Sequence, residues 1–314
     1  MLKFIHSIVN AFVMPNTQLT AICFMILSML AYQVSASYAK QLIAVLDPLT
    51  VVTLRLCFAS IMIFVMFRSW RIIKRLGDLR WRDLLLYSGA VALMNVLFYA
   101  SLGKLPQGIA VGLEFMGPLT LALISIKQRM DLLWVCLAIA GIALLVPWQD
   151  AAQAHFSYLG AAYALGAGVC WAFYIYFGQR VAHQNIGMHA LSIAICISAL
   201  CLLPFSLAYN AEAVLNTQYW GHALLIALLA TAIPYTLDLM ALKRLSKLSY
   251  GTLSSLSPAL AALAGFILLN ERISTLQMVA LACIIMASIG VTIGSARQKA
   301  EQLISPNDRS LNQK

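Results

Sequence analysis

The residues with the clearest capacity for chemistry lie in one stretch, Asn95 to Asp131, NVLFYASLGKLPQGIAVGLEFMGPLTLALISIKQRMD. Glu114 stands in the middle of an otherwise apolar run, four residues before Pro118 and three before Gly117. A charged side chain at the centre of a bilayer costs about 2.5–3.5 kcal/mol on insertion scales, so such groups face a cavity or a partner. Proline removes a backbone donor and frees a carbonyl one turn earlier. A carboxylate and a loosened backbone at one depth are the ingredients of a binding site. A structural carboxylate satisfied by a neighbouring helix is the other reading of Glu114.

At about 100° per residue, Val111, Glu114, Pro118, Leu121 and Ser125 share one helix face, while Gly108, Gly112, Phe115 and Leu119 share another. Gly108 and Gly112 form a GxxxG pair suited to close packing. One face packs and the other presents the carboxylate.

Further candidates sit in other apolar runs. Asn95 and Tyr99 lie one turn apart in the third, and Tyr235 and Asp238 follow Pro234 in the eighth. Polar pairs of this kind serve either as interhelical glue or as ligands. Trp171 and Tyr174 share a face with Gly178 in the sixth, where aromatic rings can wall a cavity. Ala164, Gly168 and Ala172 make a small-residue ridge there, the mark of plain packing. Ser254, Ser257 and the helix break at Pro258 offer hydroxyls or backbone N–H groups. Gln33, Ser35 and Ser37 are weaker candidates; Arg55, in the second run, reads as scaffold that neutralises a carboxylate or snorkels outward. Asp238, with Lys243 and Arg244 close by, reads as part of a structural ion pair.

The elements that must position these groups are membrane helices. Of 314 residues, 62% are hydrophobic and only 10% charged, with mean hydropathy +0.85, against roughly 25% charged in soluble domains. Spans of about 20 apolar residues are expected at 19–39, 49–67, 83–102, 107–126, 131–148, 158–179, 188–208, 220–242, 248–269 and 275–295. Residues 1–18 read as an N-terminal cytoplasmic or interfacial segment without a signal-peptide cleavage site, and residues 298–314 as a disordered cytoplasmic tail.

The net charge of +10 does not mark nucleic-acid binding, because the basic residues sit between apolar runs. Of the 21 Lys and Arg, 17 fall on one side, only Lys40, Lys104 and Arg272 on the other, and Arg55 within a span. The positive-inside rule then places both termini in the cytoplasm. The seven cysteines lie inside apolar spans without a CxxC, and no two of the five histidines are spaced as ligands on one helix. Neither a metal site nor a cofactor is expected. No Walker motif and no nucleophile–base pair at matching depth appear, so neither ATP drive nor a membrane enzyme is indicated.

The stretch also repeats. Adding 140 to its numbering matches Leu102 with Leu242, Leu105 with Leu245, Leu113 with Leu253, Pro118 with Pro258 and Asp131 with Glu271. The same offset pairs Lys40 with Arg180. Two repeats, 19–148 and 158–295, follow, each of five spans. An odd number of spans inserts the halves with opposite orientation, an architecture of secondary transporters with binding near the midplane.

At these residues the chain resembles the EamA branch of the drug/metabolite transporter superfamily. The likeness rests on the ten-span duplication, on Arg55, and on the FYASL…P…GP and ALKRL…SP…LLNE halves. Within the branch it is similar to the threonine/homoserine exporter subgroup, through FYASLGKLPQGIAVGLEFMGPLTLAL, LGAGVCWAFYIYFGQR, IPYTLDLMAL and YGTLSSLSPALAA. The resemblance covers roughly 20–295 and implies export of small amino acids across a bacterial inner membrane, from a cavity between the halves. Glu114, assisted by Tyr99, would meet the ammonium; Ser254, Ser257 and the Pro258 break would meet the carboxylate. One departure is Ser257, where relatives can carry an acidic residue, leaving Glu114 as the carboxylate for any proton coupling. An exporter of another metabolite or of a cationic drug also suits an acidic, aromatic cavity. The expected partners are thus a small-molecule substrate, the lipid bilayer and a candidate proton.

Overall fold

The structure, a computed structural model, describes residues 18–71, 77, 80–124, 131–145, 157–181, 188–234, 237, 241, 253–290 and 293. The N-terminal segment, the C-terminal tail, Tyr235, Asp238, Lys243 and Arg244 lie outside the described residues.

Among the described residues the protein is helical, without a strand. In hydrocarbon every backbone N–H and C=O must find a partner within its own segment, which a helix provides. The helices are α1 Gln18–Ile43, α2 Pro48–Met66, α3 Trp81–Leu102, α4 Gln107–Glu114, α5 Met116–Ile124, α6 Asp131–Leu145, α7 Tyr158–Val181, α8 Met188–Leu215, α9 Trp220–Ala227, α10 Ser257–Leu269 and α11 Thr275–Gly290. A π-helical turn, Leu228–Ala232, continues α9.

Five of these, within α1, α2, α3, α7 and α8, are long and apolar enough to cross a bilayer alone. Side chains such as Ile61, Leu200, Phe205 and Phe266 are more than 60% exposed on the outside of the bundle. An apolar exterior of this kind belongs against lipid tails.

The expected fourth span is divided. Phe115 interrupts it, between α4 and α5 and three residues before Pro118. The missing proline N–H would have bonded the Glu114 carbonyl, so the distortion falls in the turn preceding Pro118 rather than at it. In the other half the chain turns at Ser255–Leu256, and Pro258 then lies in the first turn of α10, where no helical donor is lost.

Close packing uses the small residues. A Cβ on Gly117 would lie 1.8 Å from the Gly168 carbonyl oxygen, and one on Gly168 would lie 2.6 Å from the Glu114 carbonyl oxygen. The α4–α5 junction therefore touches the α7 ridge backbone to backbone. On the other face, a Cβ on Gly108 would be 2.7 Å from Ala262 of α10. The GxxxG face packs, leaving the Glu114 face for the interior. Elsewhere α3 lies along α7 and α2 along α8, with Tyr87 and Tyr174 stacked at 5.0 Å between ring centroids.

Candidate functional site

Between these elements lies a cavity of about 590 Å³, within the roughly 300–1,000 Å³ usual for small-molecule sites. Its wall draws on α1, α2, α3 and α4 from the first half, and on α7, α8, the π turn, Pro234, Ser254 and Ser257 from the second. Of the sequence candidates, Glu114, Asn95, Trp171, Tyr174, Ser254 and Ser257 line it. Tyr235 is outside the described residues, and neither Pro118 nor Pro258 is in the wall. Pro118 and Pro258 shape the backbone beside it.

Glu114 is 5% exposed, at the last position of α4. Among the described residues no group hydrogen-bonds its carboxylate. Phe115, next in the chain, meets Trp171 edge to face at 5.8 Å, so the two rings form one wall beside the carboxylate. Tyr174 is held in that wall by its stack on Tyr87.

Tyr99 is placed differently from the sequence expectation. It is 2% exposed and stands behind the wall, where its hydroxyl accepts a hydrogen bond from Arg55 Nη1 at 2.9 Å. Arg55 Nη1 also donates to Asn95 Oδ1 at 2.9 Å, and Asn95 Nδ2 donates to the Val91 carbonyl at 2.8 Å. The Arg55 guanidinium carbon lies 5.3 Å from the Tyr99 ring centroid. Arg55 does not snorkel outward: it is buried and lines the cavity. Asn95 and Tyr99 share a helix face, as read from their spacing, and what that face holds is the arginine.

On α1, Gln33 lines the cavity, and its Nε2 reaches the Ser257 carbonyl at 3.4 Å. Ser35 donates to the Ile226 carbonyl at 3.1 Å, while Ser37 Oγ lies 2.7 Å from Gln107 Oε1. Both serines hold helices together. Met25, Ser28, Met29 and Tyr32 of α1 also form the wall, residues that sequence reasoning missed. Their three-and-four spacing along α1 was the available signal.

A polar network runs from the cavity toward the end of α1. Gln107 Nε2 donates to Gln33 Oε1 at 3.1 Å, and the Gln107 backbone N–H donates to Glu271 Oε2 at 2.7 Å. Lys40 Nζ sits 2.6 Å from Glu271 Oε1 and also donates to the Leu105 carbonyl. Glu271 reaches these groups because Asn270 closes α10 in the left-handed region at φ 53°, a conformation asparagine tolerates. Its N–H then returns to the Gly265 carbonyl at 3.1 Å. Gly265 has no Cβ, which would meet Glu271 Oε2 at 2.3 Å.

An all-helical membrane bundle with a charged, aromatic-walled cavity between its N- and C-terminal parts has the form of a transporter. The chain belongs to the EamA-like transporter family, whose pattern matches residues 19–146 and 158–293. It is 38% identical over 275 residues to the threonine/homoserine exporter RhtA of Salmonella typhimurium (strain SL1344), covering 87% of this chain and 92% of that protein. It is 39% identical over 273 residues to the threonine/homoserine exporter RhtA of Escherichia coli (strain K12), covering 87% and 91%. A crystal structure whose description names no function superposes with TM-score 0.59 at 16% identity, over 90% of this chain and 99% of that one. That likeness speaks to fold alone. The protein is a membrane transporter of small molecules and not an enzyme.

Proposed function

We propose that the protein exports small neutral amino acids such as threonine and homoserine across a bacterial inner membrane. Two inverted five-helix halves alternate access to the cavity, and both termini are cytoplasmic. The observation that carries this reading is Glu114: a buried carboxylate with no hydrogen-bond partner among the described residues, on the wall of a cavity shared by both halves. An ammonium group is the natural partner for it. The identity of 38–39% with proteins named threonine/homoserine exporters supports that substrate class. The basic residues, 17 of 21 assigned to one side from sequence, support the orientation. A carboxylate that exchanges its proton for the substrate would couple export to a proton gradient.

The test is direct. Cells overproducing the protein should survive otherwise toxic threonine or homoserine and hold less of it internally, while cells with Glu114→Gln should not. A second reading, export of a cationic drug or another metabolite, is favoured by the pairing of Glu114 with Phe115 and Trp171 in one wall. Unchanged efflux of every amino acid beside clear resistance to a cationic drug would shift the assignment there.

A further inference from the structure

We propose that the Lys40–Glu271 pair is the outer gate of the cavity, and that Arg180 is the cation of a matching inner gate that forms when the outer one breaks; this rests on the alternating-access reading above. Lys40 lies in the last turn of α1, in the first half, and Glu271 follows the cap of α10, in the second. Their contact at 2.6 Å therefore bridges the two halves. It is also connected to the cavity wall. Gln33 lines the cavity and accepts from Gln107 Nε2, while the Gln107 backbone N–H donates to Glu271 Oε2. Gln33 Nε2 reaches the carbonyl of Ser257, another wall residue. A ligand that displaces Gln33 thus acts on the pair through one intervening residue.

The repeat supplies the counterpart. An offset of 140 carries Lys40 to Arg180 and Asp131 to Glu271. An axis in the membrane plane exchanges the two ends of the protein. A first-half lysine joined to a second-half glutamate at one end then implies a second-half arginine joined to a first-half aspartate at the other. Arg180 lies in the last turn of α7, and Asp131 is the first residue of α6. The two ends differ in this structure. Lys40 and Glu271 are mostly shielded, whereas the Arg180 side chain is 53% exposed, 3.7 Å from Asp83 and 4.8 Å from the Tyr176 ring centroid. One end is tied shut, and at the other the cation stands in solvent. A partly shielded ion pair suits a gate because desolvation offsets most of its Coulomb attraction. It fixes the helices in register yet separates at small cost.

The experiment reads outward opening from Met29→Cys, on the cavity wall, in the full chain without its seven native cysteines. An impermeant maleimide is added outside intact cells, and the labelling rate, normalised to membrane abundance, follows the outward-open population. Glu271→Gln should raise that rate about two- to tenfold, the scale of a partly exposed ion pair. Lys40→Gln should do the same, and serves if Glu271→Gln does not fold. Arg180→Gln and Asp131→Asn should each lower the rate by a similar factor. Asp83→Asn removes only the present partner of Arg180 and should leave the rate unchanged or raise it. Labelling unchanged by both outer variants would overturn the inference, and so would either inner variant failing to lower it. A fall in Asp83→Asn equal to that in Arg180→Gln would also overturn it, by making Arg180 a structural partner of Asp83. Opposite shifts in a protein that exchanges no amino acid in proteoliposome counterflow would support the gates and defeat only the substrate reading.

Discussion

Lys40 Nζ lies 2.6 Å from Glu271 Oε1, joining the end of α1 to the residue just past the α10 cap, 231 positions along the chain. Both side chains are mostly shielded, at 22% and 11% exposure. Lys40 also binds the Leu105 carbonyl, and Glu271 binds the Gln107 N–H. The pair therefore ties α1, the α3–α4 loop and α10 together at one end of the cavity. In the proposed orientation this is the outer end.

Reversing one charge, as Lys40→Glu or Glu271→Lys, sets like charges against each other. The expected loss is about 1–3 kcal/mol, between the values for exposed and fully buried pairs. It should appear as a lower unfolding temperature in detergent and reduced export. The double exchange, Lys40→Glu with Glu271→Lys, should recover part of both. Equal losses in single and double variants would show that the contact carries no coupling.

Glu114→Gln preserves size and removes charge. As the ammonium partner, Glu114 should lose export at normal membrane abundance when so changed. A fall in yield parallel to the fall in activity would identify a structural carboxylate instead. Full export by the well-expressed variant would remove Glu114 from the site.

The α4–α5 junction depends on Gly117 and Gly168. With a Cβ on Gly117 only 1.8 Å from the Gly168 carbonyl oxygen, Gly117→Ala must push two backbones apart, at a cost of about 1–3 kcal/mol or more. Gly89 and Gly221 have no atom within 4 Å of an added Cβ, so alanine there should be neutral or slightly stabilising through helix propensity. Thermal unfolding of the three purified variants checks the ranking.

Orientation is tested by thiol labelling in a background without the seven native cysteines. Gln218, exposed in the short 3₁₀ turn Thr217–Tyr219, should react as cysteine with an impermeant reagent outside intact cells. Gly77→Cys, in the basic segment after α2, should stay silent until the membrane is broken. The reverse pattern would invert the topology.

By itself the sequence determined that this chain is an all-helical membrane protein of the EamA-like family, because long apolar runs can satisfy their backbone in lipid only as helices. It also placed Glu114 beside a weakened turn, since one carboxylate in an apolar run and one proline four residues on are local facts. What it could not decide was which face of each helix meets the cavity. In a membrane helix the lipid face and the packed face are both apolar, so hydrophobic periodicity loses the contrast that marks an interior face in water. Tyr99 therefore looked like a ligand and stands behind the wall, while Arg55 looked like scaffold and forms part of it. The Lys40–Glu271 contact depended on the tertiary structure even more, because two charges 231 residues apart meet only once α1 and α10 have packed and Asn270 has turned the chain back.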